Sequence, residues 1–327
     1  ARHAHIAGSA SLADLSAAVQ SSVTLWEGGL SLADVMGTDL LTPRALALSA
    51  RALALRGEAV FLIRDRLIPV SDWDLTTRDG VPRSYRLQMG EAGGGRSEIA
   101  LAGEVIHFRI GSSMATPWAG SSPLSRSQLS AQLLAEVEGA LRDTFRDAPI
   151  GSLIVPLPDG TADAMETIRL GMRGRRGSAL VIEGVAQATA AGLHPQIGKS
   201  PDQLSPDLAR TMADRILIEA KGAIFSAFGI LPGLQNPATT GPMVREAQRH
   251  LAQLILQPIA GMMAEETSDK LGGKVTLDVV RPMQAFDAGG KARALSTMVM
   301  ALAQAKGAGI EGATLQDALS FIDWQDE

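Results

Sequence analysis

The amino-acid sequence predicts an α+β fold for this chain of 327 residues. Three observations point to it: strand-like runs between Gly-rich turns in the first 124 residues, two long segments with apolar residues at helical spacing, and a short mixed segment between those helices. Hydrophobic residues make up 46% of the chain, which is enough for a sizeable core and argues against disorder. Aromatic residues make up only 4%, so the core must consist mainly of Leu, Ala, Val, Ile and Met.

Charge and cysteine content exclude several classes of protein. The 35 acidic residues outnumber the 30 basic ones and give a formal charge of −5, which argues against a protein that coats duplex DNA through a broad basic surface. The absence of cysteine excludes disulfide scaffolds, Cys-ligated metal centres and Cys nucleophiles. Arg44, Arg51, Arg56 and Arg64 interrupt the most apolar region, so no transmembrane helix is expected. The N-terminal residues lack an initiator Met and an apolar segment, and a signal peptide is therefore not expected.

The first 124 residues are expected to form a small antiparallel sheet packed by helices. Apolar spacing predicts helices over residues 11–20 and 42–56, and Thr42 followed by Pro43 is typical of a helix N-cap and first helical position. Strands are predicted over residues 58–64, 68–75, 83–89 and 104–110.

The remaining chain is predicted to alternate long helices with a mixed insertion. Ser125 and Gln128 fit a capping box at the start of a helix of about 22 residues. A second long helix should begin at Ser205 and end at Gly229, and a third should run from Met243 to Leu271 with a kink at Pro258. The other predicted elements are strands at 152–156, 179–183 and 274–280, a short helix near 163–173, a loop over 230–242 and a final helix over 290–304.

No residue pattern demands catalysis, so no catalytic, cofactor-binding or metal-binding residue is predicted. Gly198, Lys199 and Ser200 match the end of a nucleotide-binding P-loop, but Leu193 stands where that loop needs its first Gly. Asp72 and Asp74 lack a third ligand and are expected to be a solvent-facing pair or a turn cap.

The histidines are assigned ordinary roles. His107 lies in a strand-like run between Ile106 and Phe108 and is expected to serve packing or hydrogen bonding. His250, beside Arg249 on a predicted helix, is expected at the surface.

One cluster of arginines stands out against the acidic chain. Arg173, Arg175 and Arg176 lie among three glycines, which is typical of a turn. The cluster fits either a basic hairpin that touches phosphate or a solvated turn, and both interpretations stay open.

The order of the elements resembles the portal, or head-to-tail connector, of tailed bacteriophages and of phage-derived gene transfer agents. The resemblance extends from about residue 40 to residue 315 and depends on five weak motifs in the right order. They are Gly57-Glu58-Ala59-Val60-Phe61; Val105-Ile106-His107-Phe108-Arg109 followed by Gly120-Ser121-Ser122-Pro123-Leu124; Phe228-Gly229-Ile230-Leu231-Pro232; the helix from Arg245-Glu246 to Leu256-Gln257-Pro258; and Asp287, Lys291, Arg293, Ala294 with Gly307-Ala308-Gly309-Ile310. Leu231 departs from the pattern, because the family usually has Pro there.

The resemblance implies an α+β portal fold with an α/β wing, long stem helices, a small α/β clip and a short helical crown. The implied segments are a first part of the wing over 1–124, stem helices over 125–146 and 206–229, a clip over 147–205, a tunnel loop over 230–242, a long wing helix and strand over 243–290, and a C-terminal crown over 291–327.

The resemblance also implies a function and partners. It implies a ring of twelve subunits at one capsid vertex, assembled in the host cytoplasm and located in the virion, through which double-stranded DNA passes without sequence recognition. The implied partners are the major capsid protein, the terminase large subunit and the head-tail adaptor, with no cofactor and no membrane. Contacts with DNA are expected from loop residues Gln235, Asn236, Thr239 and Thr240, and contacts with phosphate or clip partners from Arg173, Arg175 and Arg176.

The acidic charge suits such a channel. Duplex DNA carries about one charge per 1.7 Å, so a strongly basic wall would hold it rather than let it slide. Twelve copies of the chain would carry a total charge of about −60. Two other functions stay open: a nucleotide-binding enzyme that uses the imperfect loop at 198–200, and a different phage head-tail adaptor.

Overall fold

The structure is a computed structural model that describes residues 16–147, 153–156, 179–182, 212–236, 238–285 and 288–307. The chain divides into two compact units, one formed by Ala1–Gln128 with Ile224–Glu327 and the other by Leu129–Ala223. In the part of the chain that the structure describes, no helix is long and apolar enough to cross a membrane.

The first unit is a mixed α/β structure. Its helices and strands up to the crossing into the second unit are α1 (Ala17–Ser31), β1 (Asp34–Met36), α2 (Pro43–Arg56), β2 (Glu58–Ile63), β3 (Leu67–Pro69), β4 (Asp72–Arg78), β5 (Val81–Met89), β6 (Arg96–Leu101), β7 (Val105–Arg109) and α3 (Pro123–Arg126). A 3₁₀ turn, Ala102–Glu104, connects β6 to β7.

Two three-stranded antiparallel sheets share the core of this unit. Their strand orders are β3-β2-β7 and β4-β5-β6, and β1 pairs separately with a late strand, β10 (Thr276–Asp278). The shared core consists of buried residues of both sheets together with Val70, which lies between β3 and β4; the residues are Val60, Leu62, Val70, Trp73, Tyr85, Leu87, Met89, Ala100 and Val105. The single tyrosine and one of the four tryptophans of the chain therefore lie in this core.

The helices begin and end where their capping residues allow. The Thr42 hydroxyl accepts a hydrogen bond from the Ala45 amide at 3.2 Å, Pro43 occupies the first turn, and Gly57 ends α2 with φ +80°. These features confirm the predicted helix over 42–56. The predicted capping box at Ser125 is wrong, because Ser125 lies inside the short helix α3, whose N-cap Ser122 accepts from the Ser125 amide at 3.0 Å, and the long helix begins at Gln128.

The long helix after the loop is continuous but changes its pitch. It consists of α6 (Gly241–His250), a π-helical segment (Leu251–Leu256) and α7 (Gln257–Leu271). Pro258 stands at the start of α7, where it lacks an amide hydrogen to bond back to the preceding turn. A π-helical segment, Leu251–Leu256, comes directly before Pro258, the residue at which a kink was predicted.

The second unit contains the helix α4 (Gln128–Asp147), the parallel strand pair β8 (Leu153–Pro156) and β9 (Ala179–Ile182), and most of helix α5 (Ala213–Ala227). Lys221 of α5 lies 3.7 Å from the Glu138 carboxylate of α4. The predicted strands at 152–156 and 179–183 are present, whereas Ser205, Pro206 and the helix near 163–173 lie outside the described residues.

Several predicted boundaries shift. The first helix extends to Ser31, the predicted strand over 68–75 is the two strands β3 and β4, and β6 was not predicted. Residues 274–280 contain only the short β10, which is followed by α8 (Val280–Ala285) and α9 (Ala288–Gly307).

The backbone at Gly120 crosses close to the backbone at Gly57, the residue directly before β2, and a substitution at Gly120 tests this crossing. A Cβ added at Gly120 would lie 2.1 Å from the Gly57 carbonyl oxygen, so Gly120→Ala should lower the free energy of unfolding by about 2 kcal/mol or more. Gly261→Ala in α7 meets no atom within 4 Å and should raise it by about 0.5–1 kcal/mol. Urea denaturation of both variants measures the difference, and equal stability of the two would contradict the crossing.

Candidate functional site

The segment after α5 turns sharply before it reaches the loop that the sequence analysis singled out. Gly229 has φ +71°, and a Cβ there would lie 2.4 Å from the Cδ1 atom of Ile255 in the π-helical segment. The Ile230 amide donates back to the Phe225 carbonyl at 2.9 Å. The left-handed backbone conformation therefore favours glycine at this helix end, and the Ile255 side chain packs where a Cβ would lie.

Trp26 of α1 contacts the same turn through its hydrogen bond and ring contact with Phe228. Its indole N–H donates to the Phe228 carbonyl oxygen at 3.1 Å, and the two rings lie edge to face with centroids 5.9 Å apart. Trp26 is 2% exposed and Phe228 is fully buried. This contact joins two residues 202 positions apart and sets the point where the loop begins.

The loop itself is closed by short-range hydrogen bonds. It contains a 3₁₀ turn, Pro232–Leu234, and the Gln235 side-chain amide donates to the Ile230 carbonyl at 3.0 Å. The Asn236 amide donates to Pro232 at 3.1 Å, while its side-chain oxygen accepts from the Ala238 amide at 2.9 Å. The backbone of this segment is thus defined by its own side chains.

The four predicted loop residues differ in exposure. Asn236 and Thr240 are exposed, and Gln235 and Thr239 are half-buried. The Gln235 side-chain amide donates a hydrogen bond to the Ile230 carbonyl, so this side chain stabilises the loop. The sequence analysis predicted Gln235 as a candidate contact for DNA. The sequence alone did not show the hydrogen bond to Ile230, because the contact depends on the 3₁₀ turn between the two residues.

The helix that follows the loop places a positive charge beside it. Thr240 is the N-cap of α6 without a side-chain bond to the helix. Arg245 is exposed, and one of its guanidinium nitrogens lies 3.7 Å from the Cβ position of Gly241. The spacing of four residues on a helix was the signal that could have placed Arg245 here.

A second exposed charge on this helix is already paired. Arg249 donates to both Glu246 carboxylate oxygens, at 3.0 and 2.6 Å, and this hydrogen bonding lowers the pKa of Glu246. Because the pair is fully exposed, it contributes little to stability. His250 at the end of α6 is half-buried, whereas a surface position was predicted.

His107 lies in a buried polar cluster in the first unit. The side chains of His107 and Glu58 are 1% and 8% exposed, with Nε2 of the imidazole 3.4 Å from a Glu58 oxygen. The Tyr85 hydroxyl lies 3.1 Å from Nδ1 of His107, and the Trp73 and Tyr85 rings pack edge to face on the imidazole. The expected role of His107 in packing and hydrogen bonding is confirmed.

Of the remaining candidate site residues, Asp72 and Asp74 lie in the described part of the chain and the others do not. Asp72 accepts a hydrogen bond from the Trp73 amide at 2.8 Å, and Asp74 is exposed. Within the described ranges, no group of three or more His, Asp or Glu residues could hold a metal ion. Arg173, Arg175 and Arg176, and the loop at 198–200, lie outside the described residues.

Gln235 offers a test of the closed loop. Gln235→Ala removes the donor to the buried Ile230 carbonyl and should lower the free energy of unfolding by about 1 kcal/mol. Thr240→Ala, at a cap without a side-chain bond, should leave stability within about 0.5 kcal/mol of the parent chain. Equal losses in the two variants, measured by urea denaturation, would contradict the role of Gln235.

Comparison with known proteins identifies the fold. No protein-family model and no curated protein matches the chain. A solved structure of the neck of an empty gene transfer agent (GTA) particle, computed with C6 symmetry, contains a chain with 14% identity and a TM-score of 0.62; the match covers 94% of this chain and 90% of that one. The neck of the native GTA particle, computed with C12 symmetry, gives 15% identity, a TM-score of 0.62 and coverage of 95% and 91%.

A third match is weaker. The crystal structure of an HK97-family phage portal protein from Corynebacterium diphtheriae has 14% identity and a TM-score of 0.47, and covers 84% of this chain and 96% of that chain. At these identities the two GTA chains establish a shared fold and no more. The α+β fold implied by the resemblance to portal proteins is thereby confirmed, and this chain has the fold of chains in the GTA neck.

Proposed function

We propose that this chain is a portal protein of a tailed phage or a gene transfer agent, located in the virion. The observation that carries the proposal is the likeness in fold to GTA neck chains over 94% of this chain. The order of the sequence motifs from about residue 40 to residue 315 also supports it.

Helix α4 supports the formation of a ring. At about 100° per residue, Leu129 and Leu133 share one side of this helix, and Ala131 and Leu134 lie on the opposite side. Ala131 and Leu134 are buried, whereas Leu129 is 84% and Leu133 45% exposed. A helix with one buried side and exposed leucines on the other side fits contact with a further copy of the chain.

A closed ring of twelve copies is the proposed assembly. Subunits that meet through two different surfaces form rings when the rotation closes, and the C12 symmetry reported for the native GTA neck is consistent with twelve. In this ring, residues 125–146 and 206–229 would be the stem, 147–205 the clip, and 230–242 a loop that faces the bore. Residues 1–124 with 243–290 would be the wing, and residues 291–327 the crown.

The proposed bore would let DNA slide. Asn236 and Thr240 would present neutral polar groups to phosphates, with Arg245 as the nearby charge. A neutral polar loop on a chain of net charge −5 would touch the duplex without gripping it or reading its sequence. The terminase large subunit, the head-tail adaptor and the major capsid protein would be the protein partners.

The exposed leucines of α4 provide a test of assembly. Leu129→Lys combined with Leu133→Lys should convert the ring into smaller species, because twelve interfaces would each receive buried or repelling charges. Size-exclusion chromatography with light scattering measures the mass. The matched control is Met114→Lys, since Met114 is fully exposed in a loop of the first unit and should leave the ring mass unchanged.

Two outcomes of this experiment would count against the proposal. One is a parent chain that stays at its monomer mass of 34.2 kDa at high protein concentration. The other is a double variant that assembles as well as the Met114→Lys control. Circular dichroism of each variant separates loss of assembly from loss of fold.

The arginine cluster provides a test of partner docking. Changing Arg173, Arg175 and Arg176 to Ala removes three positive charges from the proposed clip and should lower the yield of packaged DNA while the ring forms normally. Replacing the same residues with Lys keeps the charge and should restore most of the yield if charge alone acts. A normal DNA yield in the alanine variant would contradict this role.

A further inference from the structure

A groove on the first unit lies between helix α2 and the edge strand β3. Two adjoining cavities of about 570 and 350 Å³ form it, and both are lined by Leu48, Phe61 and Pro69. Phe61 is buried, whereas Leu48 is 42% exposed and Pro69 is exposed. Within the described part of the chain, nothing covers this apolar surface.

Arginines stand along both sides of the groove. Arg44, Arg51 and Arg56 belong to α2, and Arg66 directly precedes β3. Arg51 is paired with Glu27 at 3.1 Å. Arg44 and Arg66 are exposed, and neither forms an ion pair with a carboxylate of the described residues. Two positive charges at the groove are thus available to an acidic ligand.

The acidic groups at the groove do not cancel this charge. Asp39 and Asp65 are exposed and line the larger cavity. Glu58 lines the smaller one, but it is buried and accepts a hydrogen bond from the Gly120 amide at 2.6 Å. The four arginines therefore outnumber the two exposed aspartates, although the chain as a whole is acidic.

The segment that follows α9 has the opposite charge. Residues 308–327, called here the acidic segment, contain five acidic residues and no basic one. The whole chain has 35 acidic and 30 basic residues, so the rest of the chain is balanced and the formal charge of −5 arises from this segment. The acidic segment lies outside the described residues and belongs to the same compact unit as the groove.

The apolar residues of the acidic segment are spaced for one side of a helix. Leu315, Leu319 and Ile322 follow one another at intervals of four and three residues. Thr314 and Asp317 fit a capping box directly before and within this pattern. The pattern is typical of an amphipathic helix that binds by laying its apolar side in a groove.

We propose that the acidic segment of each chain binds in the groove of the same chain, with its apolar side against Leu48 and Phe61. Its carboxylates would then lie near Arg44 and Arg66, the two arginines available for pairing. Helix α2 has 14 residues and is about 21 Å long, so a helix of similar length can lie beside it. A tethered segment acts at a high effective concentration, which favours binding within one copy of the chain.

Engineered cysteines can locate the acidic segment, because the chain itself has none. In the full chain, Leu48→Cys is paired in turn with Leu315→Cys, Leu319→Cys or Ile322→Cys under mild oxidation. At least one pair should form a disulfide within one copy about tenfold faster than the matched pair that has Leu101→Cys in place of Leu48→Cys. Leu101 is 66% exposed on β6 and does not line the groove. Non-reducing electrophoresis and mass spectrometry of the digested protein measure the rates.

Hydrogen exchange tests the charges on the full chain without cysteines. Amides of the acidic segment should exchange more slowly in the parent chain than in a synthetic peptide of the same sequence. Arg44→Glu combined with Arg66→Glu should lower this protection about fivefold, since repulsion replaces attraction at two exposed pairs. Arg83→Glu combined with Arg86→Glu is the matched control, because both arginines are exposed on β5, away from the groove, and the change in charge is the same.

Four results would overturn the proposal. They are cross-linking no faster than in the Leu101→Cys control, cross-linking only between copies, parent-chain exchange as fast as in the free peptide, and equal loss of protection in the two arginine variants. The comparison of parent chain and peptide needs no substitution, so it decides even where a variant fails to fold. None of these results depends on the formation of a ring, and failure here leaves the proposed portal function standing.

Discussion

The backbone crossing of Gly57 and Gly120 constrains the rest of the first unit. No side chain fits between them, because a Cβ at Gly57 would lie 2.5 Å from the Ser121 backbone and one at Gly120 would lie 2.1 Å from the Gly57 oxygen. The crossing ends α2, starts β2 and fixes the loop before α3. The Glu58 side chain reaches Gly120 only because the two backbones approach this closely.

Local signals predicted those features that local chemistry decides. Thr42 and Pro43 start a helix and Gly229 ends one, because capping and left-handed backbone need only adjacent residues. Ser125 was placed as the cap of the long helix from its pattern alone, but Ser122 with Pro123 starts the short helix α3 there, and the long helix α4 begins only at Gln128. Strand β6 was missed because its apolar Ile99 and Leu101 are exposed while the small Ala100 faces the core, which inverts the usual alternation.

The sequence predicted where the loop of the candidate site lies, but it did not predict what the individual side chains of that loop contact. The motif at 228–232 and the prolines after it located the loop, yet the hydrogen bond from Gln235 to Ile230 and the indole of Trp26 on Phe228 depend on tertiary structure. The same holds for Glu58 and His107, which meet across paired strands 49 positions apart and whose polar partners come from β5 and α7. Such contacts leave no spacing in the sequence to detect.

The central claim is that copies of this chain close into a ring with an open bore, as the likeness to GTA neck chains and the exposed leucines of α4 suggest. The most direct test is negative-stain electron microscopy of the purified chain, with class averages calculated without imposed symmetry. We expect end-on views with twelvefold rotational symmetry around a stain-filled centre. Averages that show only single 34.2 kDa particles, or assemblies without a central opening, would contradict the account.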